Sequence, residues 1–179
     1  MGYAYSLLKN KIFPTYYISL IGQDEINSPK TSILHHINHE ENNKLPIPTI
    51  GYNIIGHIAK NGSEFYIWNV GCNKNLRNLW KRYYQKSNGF IFLINNDDLD
   101  DDEYFEEIKY ILAVKEWENV PVLFMANTQD INHVLPADVV KKKFGEIEGK
   151  KYLFHETYSY DGEGIKGGID WLINSILNK

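Results

Sequence analysis

The sequence predicts an α/β fold: a mostly parallel six-stranded sheet with one antiparallel edge and helices on both faces. Three observations predict it. Short apolar runs rich in β-branched and aromatic residues recur along the chain, helix-periodic segments lie between them, and Asn61-Gly62 joins two of the strand-like runs as a hairpin turn. Alternating strands and helices favour a parallel sheet, and the single hairpin supplies the antiparallel edge.

The elements follow in order. Residues 16–21 (YYISLI) form a short buried strand that stops at Gly22. Residues 30–37 start a helix, and 52–59 and 64–70 are the two strands of the hairpin. A helix over 76–85 precedes a second buried strand at 89–94 (GFIFLI). Residues 104–117 have helical periodicity, with Phe105, Ile108, Ile111 and Leu112 on one face. A strand at 120–126, a helix at 136–144 with Pro136 near its first turn, a strand at 151–155 and an amphipathic helix at 165–177 complete the chain.

The bulk properties narrow the class of partner. A length of 179 residues fits one domain, and a composition 43% hydrophobic and 23% charged supports a real core and excludes disorder on compositional grounds. The net charge of −4 argues against nucleic acid, which requires a clustered basic face. With Cys72 as the one cysteine no intrachain disulfide can form, which fits a reducing, cytoplasmic setting. No apolar run approaches the roughly 18–20 residues that span a bilayer, and the N-terminus lacks a signal-peptide core.

In folds of this kind ligands sit at the carboxyl ends of the strands. The loops after Ile21, Val70, Ile94, Ala126 and His155 are therefore where chemistry is expected. The first, from Gly22 through Asp24 and Pro29 to Lys30 and Thr31, follows a strand and opens a helix, as a phosphate-binding loop requires. A lysine there reaches β- and γ-phosphates, a following threonine hydroxyl ligates Mg²⁺, and the helix N-terminus adds backbone donors. Two departures stand out. Pro29 occupies the position of a glycine and has no N–H to offer, and the loop is two residues longer than the usual pattern, so taken alone it reads as an ordinary strand-to-helix turn rather than a phosphate loop. The other segments at strand ends are 48–53 (PTIGYN), 68–73 (WNVGCN), 127–130 (NTQD) and 157–160 (TYSY).

Together these segments resemble the ADP-ribosylation factor (Arf and Arf-like) family of small GTPases, whose fold is of the P-loop NTPase type. The resemblance covers almost the whole chain. It is carried by PTIG at 48–51, by W-N-V-G at 68–71 with Leu79, Trp80 and Tyr83 after it, and by GIDWL at 168–172. It implies a small-GTPase domain over 16–179 that binds GTP or GDP with Mg²⁺. Gly22 and Asp24 would belong to the phosphate loop, Lys30 would bind phosphates, and Thr31 and Thr49 would complete the Mg²⁺ shell. Gly71 would belong to the second switch and Asn127 would brace the base loop. Asp130 would accept two hydrogen bonds from the guanine edge, and the Ser159 N–H would meet the guanine carbonyl oxygen. Effectors and an exchange factor would dock on the switch regions, and the family's setting implies vesicle-mediated transport at Golgi or other endomembranes.

Several positions depart from the family pattern. Asn69 replaces an aspartate, Cys72 a glycine, Thr128 a lysine that packs along the base, and Asn73 the glutamine that orients the attacking water. Loss of the Pro29 donor, the Asn69 charge and the Thr128 stem costs about 3–6 kcal/mol, roughly a hundred- to ten-thousandfold in affinity. Asn73, the degenerate catalytic position, reaches one methylene less far, so little or no intrinsic hydrolysis is expected. A non-hydrolysing pseudo-GTPase acting as a protein-binding adaptor is the alternative reading.

The start of the chain, residues 1–15, fits an N-myristoylation pattern with Gly2 as acceptor, and Tyr5, Leu8 and Ile12 share one helical face. One acyl chain anchors only weakly, so this apolar face would supply the second element of a reversible membrane contact. His35 and His39, with His36 and Glu40 nearby, read as a solvated helix face rather than a zinc site. The acidic run 97–103 reads as a solvated loop leading into a helix.

Overall fold

A computed structural model describes residues 14–23, 29–37, 52–70 and 84–178, with backbone alone for 52–59 and 70. Six strands form one sheet: β1 (Thr15–Ile21), β2 (Tyr52–Lys60), β3 (Ser63–Val70), β4 (Gly89–Asn95), β5 (Val122–Thr128) and β6 (Tyr152–Tyr158), in the order β2-β3-β1-β4-β5-β6. Five run parallel, and β2 pairs antiparallel with β3 at one edge. The helices are α1 (Pro29–Ile37), α2 (Asp102–Ala113), α3 (Ala137–Phe144) and α4 (Ile165–Leu177). The expected helix over 76–85 lies outside the described residues except for its end, where Tyr84 is buried.

Burial on both faces of the central strands organises the core. Along β4, Phe90, Phe92 and Ile94 face one cluster while Ile91 and Leu93 face the other, and β5 alternates in the same way. The first cluster packs under α2 and α3 through Phe105, Ile108, Ile111 and Val140. The second packs under α1 and α4 through Ile33, Leu34, Leu172 and Ile176. Rings run across the first face as a ladder, with Phe92 5.6 Å from Phe124 and Phe124 4.3 Å from Phe154, both stacked.

Three boundaries differ from the sequence expectation. The helix expected over 104–117 ends at Ala113. Val114 turns extended (φ −69°, ψ 121°) and a 3₁₀ turn, Lys115–Trp117, carries Trp117 back into the core, edge-on to Phe90 at 5.4 Å. That burial of a large ring outweighs one more helical turn. Strand β5 starts at Val122 and runs on through Asn127 and Thr128, and β6 runs to Tyr158. In both cases polar residues remain in the ladder because their backbone groups are paired, Asn127 with Thr157 and Thr128 with Tyr158 in register.

The hairpin turns at Asn61 and Gly62, both at positive φ (52° and 80°), as its Asn-Gly sequence demands. Its tip is held from the far end of the chain. Lys60 Nζ donates to Asp170 Oδ1 at 2.7 Å, and Lys166 donates to the other oxygen at 2.6 Å. The turn before α4 depends on Gly164 (φ 77°), where a Cβ would lie 2.2 Å from the Glu156 carbonyl oxygen.

Phe124→Ala should lower the free energy of unfolding by about 3–5 kcal/mol, because it empties the middle of the ring ladder. Urea denaturation checks this; a loss under about 1 kcal/mol would mean the ladder does not hold the sheet to α3.

Candidate nucleotide site

The polar groups of interest gather where the strands end. Gly22 follows β1, and Pro29 opens α1 at its first position, where a missing N–H leaves no helical bond unmade. Lys30, one residue further, is almost fully buried and donates from Nζ to the Gly22 carbonyl oxygen at 2.8 Å. A Cβ at residue 22 would lie 3.2 Å from Lys30 Cδ and 3.0 Å from Leu93 Cβ, so glycine leaves room there for the lysine stem. Thr31 is half-buried on the next helical position. Gln23 ties the start of the loop to the acidic run, donating from Nε2 to Asp101 Oδ2 at 2.9 Å, while Asp101 Oδ1 caps α2 by accepting the Tyr104 N–H.

The first helix is also fixed to the loop after β6. Ser32 Oγ donates to the Ser159 carbonyl oxygen at 2.6 Å, and a ring nitrogen of His36 lies 3.2 Å from the same oxygen. The helix carrying Lys30 and Thr31 thereby meets the segment carrying Ser159. Ser159 in turn meets β5: its N–H donates to the Thr128 carbonyl oxygen at 3.1 Å, and its hydroxyl lies 3.3 Å from Asn127 Nδ2.

Asn127 is fully buried and belongs to a chain of amides. Its Nδ2 donates to Asn95 Oδ1 at 2.8 Å, and Asn95 donates from Nδ2 and from its backbone N–H to Asp98 Oδ2 at 2.9 and 2.7 Å. The acidic run is largely solvated and leads into α2, as expected from sequence, with Asp97, Asp100, Asp102 and Glu103 exposed; Asp98 is the exception. Asp98 is 5% exposed and ends this chain, because a carboxylate is the acceptor that buried amide donors need. Thr128 is engaged within the protein, its Oγ1 accepting the Leu135 N–H at 3.0 Å.

Asp130 stays at the surface and is occupied by its own loop. Oδ1 accepts from the Asn132 backbone N–H (3.0 Å) and Nδ2 (2.9 Å), and Oδ2 lies 2.9 Å from His133 Nδ1. The backbone N–H of Asn132, then the bond to His133, hold this carboxyl below the usual carboxylate range. A cavity of about 470 Å³ opens here, lined among others by Asn95, Asn127, Asp130, His133 and Val134.

The structure thus brings Gly22, Lys30, Asn127 and Ser159 into one connected set, and places Asp130 at the adjoining cavity. Asp24, Thr49, Gly71, Cys72, Asn73 and the acceptor Gly2 lie outside the described residues, as do His39 and Glu40. Asn69 is buried at the end of β3, and its Oδ1 has no hydrogen-bond partner among the described residues. No group of three metal-ligating side chains occurs among the described residues. Sequence reasoning missed Asn95, Asp98, Ser32 and His36. One available signal was that Asn95 ends an otherwise apolar strand.

A parallel sheet in this order, with a lysine opening the helix after β1 and polar loops after β5 and β6, defines a nucleotide-binding protein of the small-GTPase class. The chain belongs to the ADP-ribosylation factor family, whose model matches residues 7–176. It is 36% identical over 138 residues to ADP-ribosylation factor K of Dictyostelium discoideum, a match covering 75% of this chain and 73% of that protein. In fold it is similar to the Arl6 (BBS3) small GTPase of Trypanosoma brucei, solved with the nucleotide analogue GppNp, with a TM-score of 0.71, 21% identity, and coverage of 92% of this chain and 98% of that one.

The depressed Asp130 pKa has a defined sign. Its hydrogen bonds stabilise the fold above the unfolded carboxylate pKa of about 3.9, and that contribution is lost as pH falls through the lower folded value. The stability difference between the wild type and Asp130→Asn should therefore be largest above about pH 5, a unit above the unfolded value, and shrink as the pH falls through the carboxylate range. Urea melts across that range test it, and a difference that does not change with pH would show that Asp130 is not held by these donors.

Proposed function

We propose that the chain is an Arf-type guanine-nucleotide switch acting in vesicle-mediated transport, with little or no intrinsic GTP hydrolysis. The observation that carries the reading is Lys30, buried at the N-terminus of α1 and folded onto Gly22 beside the Ser159 loop. A buried lysine at a helix N-terminus, closing on a glycine at the end of the preceding strand, fits an anionic ligand. Lys30 would hold the phosphates, with Thr31 and Thr49 on Mg²⁺, which when bound offsets phosphate charge. Asp130 would read the base edge once its bonds to Asn132 and His133 are exchanged for bonds to guanine.

Switching would follow from ordering of Thr49 and Gly71 by the γ-phosphate, a shift of the β2–β3 hairpin and release of the N-terminal segment with acylated Gly2 to a membrane such as the Golgi. Effectors and an exchange factor would read the switch surfaces. Asn73 supports slow turnover, because positioning the attacking water is most of what the protein contributes in this chemistry. A non-hydrolysing adaptor is the second reading. It is favoured by the engagement of Asp130 and of the Ser159 N–H within the protein itself.

A thermal melt separates the two. At about a hundred times Kd, Mg²⁺-GDP or Mg²⁺-GTP should add about 2.7 kcal/mol, raising Tm by roughly 5–10 °C. Lys30→Ala should abolish the shift, and single-turnover assays with GTP should show negligible phosphate release. No shift at millimolar nucleotide would leave the adaptor; rapid unassisted release would refute the hydrolysis claim.

A further inference from the structure

The register of β1 with its neighbours runs out at Leu20, opposite Asn69 on β3, and at Ile21, opposite Phe92 on β4. Gly22 and Gln23 lie beyond it. Yet Gly22 supplies the carbonyl oxygen that holds the Lys30 ammonium, at 2.8 Å. A side chain extends the hold on this strand end past the ladder. Gln23 Nε2 donates to Asp101 Oδ2 at 2.9 Å, across 78 positions of sequence. The bond is partly buried, and a carboxylate acceptor makes it about twice as strong as a bond between neutral groups.

Asp101 is itself fixed. Its other oxygen caps α2 by accepting the Tyr104 N–H at 3.0 Å, and the buried Tyr104 donates from its hydroxyl to the Leu93 carbonyl oxygen at 2.9 Å. Leu93 closes the circuit, because its Cβ would stand 3.0 Å from a Cβ at residue 22. The contacts form a ring: Gly22, Leu93, Tyr104, Asp101, Gln23. Lys30 joins that ring to α1. Two helices that cover opposite faces of the sheet, α1 and α2, thus meet at one strand end. A phosphate entering here draws on the Lys30 ammonium. The bond between Gln23 and Asp101 involves neither Lys30 nor the N-terminus of α1, so the ligand would leave it in place.

We propose that Gln23 and Asp101 are positioning residues for the nucleotide: their bond sets the strand end at Gly22, and through it the place of the Lys30 ammonium, so that phosphate affinity depends on the N-cap of α2. The inference rests on the nucleotide reading above and concerns the phosphate end of the site. Base reading by Asp130, on the loop after β5, is independent of it.

Calorimetric titration of the full chain with Mg²⁺-GDP and Mg²⁺-IDP provides the test. Gln23→Leu keeps the bulk of the side chain and removes the donor. Asp101→Ser keeps an acceptor for the Tyr104 N–H and is too short to reach Gln23. Each should weaken both nucleotides about three- to tenfold, as follows if loss of the bond leaves the Lys30 ammonium in place for about a tenth to a third of the time. The GDP-to-IDP ratio, which reports the two-amino group that Asp130 would read, should stay within about twofold of its wild-type value. The double variant should bind no more weakly than the worse of the two single variants, because both remove the same bond. Thermal melts without nucleotide show which variants are folded, and Gln23→Leu alone decides the matter if Asp101→Ser is not. Wild-type affinity in folded Gln23→Leu, losses that multiply in the double variant, or a changed GDP-to-IDP ratio overturns the proposal. So does the failure of both single variants to fold, which would make the bond a support of the whole domain rather than of the site. If the wild type binds neither GDP nor GTP, the nucleotide reading falls and the positioning falls with it; if the wild type binds and Gln23→Leu binds equally well, the positioning alone falls.

Discussion

Strands β4 and β5 are buried on both faces, and this constraint fixes where the rest of the molecule can put polar groups. Seven consecutive buried residues in each leave no room for function along their length. Polar side chains are confined to the carboxyl ends, where the apolar layers stop: Asn95 on one strand, Asn127 and Thr128 on the other. Because the strands are parallel neighbours, these ends lie side by side, Asn95 in register with Asn127, and Asn127 with Thr157. The site is thus a boundary effect of the core.

At that boundary the protein satisfies itself first. Buried amides and carboxylates must be hydrogen-bonded, and this chain meets the requirement with its own residues: Asp98 with Asn95, Thr128 with Leu135, Asp130 with Asn132 and His133. Each such bond is one that a ligand would have to replace rather than add. Lys30 follows the same rule, its ammonium reaching a backbone carbonyl, whereas Asn127 Oδ1 has no partner among the described residues. Affinity for a nucleotide is then a difference between two sets of bonds of similar strength, which is how a nucleotide-binding fold can hold a weak ligand site.

Much of the architecture was legible in the sequence because it is written in periodicity. Apolar runs such as GFIFLI mark strands buried on both faces, and Asn61-Gly62 marks the hairpin. The site was legible where local order fixes it: Lys30 follows Gly22 across a strand-to-helix turn, and both stayed together. What escaped was set by contacts between distant segments. Asp98 is the local exception: it lies three residues after Asn95 and closes a capping box with it, a spacing the sequence analysis passed over. Ser32 and His36 became relevant only because α1 packs against a loop more than 120 residues away, at Ser159. The early end of α2 was hidden for the same reason, since Trp117 finds its partners in Tyr84 and Phe90.

The ion pair between Lys60 and Asp170 joins positions 110 residues apart. A ribosome delivers the chain from the N-terminus, so the hairpin at the sheet's margin must wait for nearly the entire polypeptide before its tip is tethered. Until then the hairpin can swing about its root on β1, whereas β2 stays the edge strand of the sheet before and after. The last helix therefore fixes the angle of the hairpin late in synthesis, through a bond that the earlier segments cannot supply.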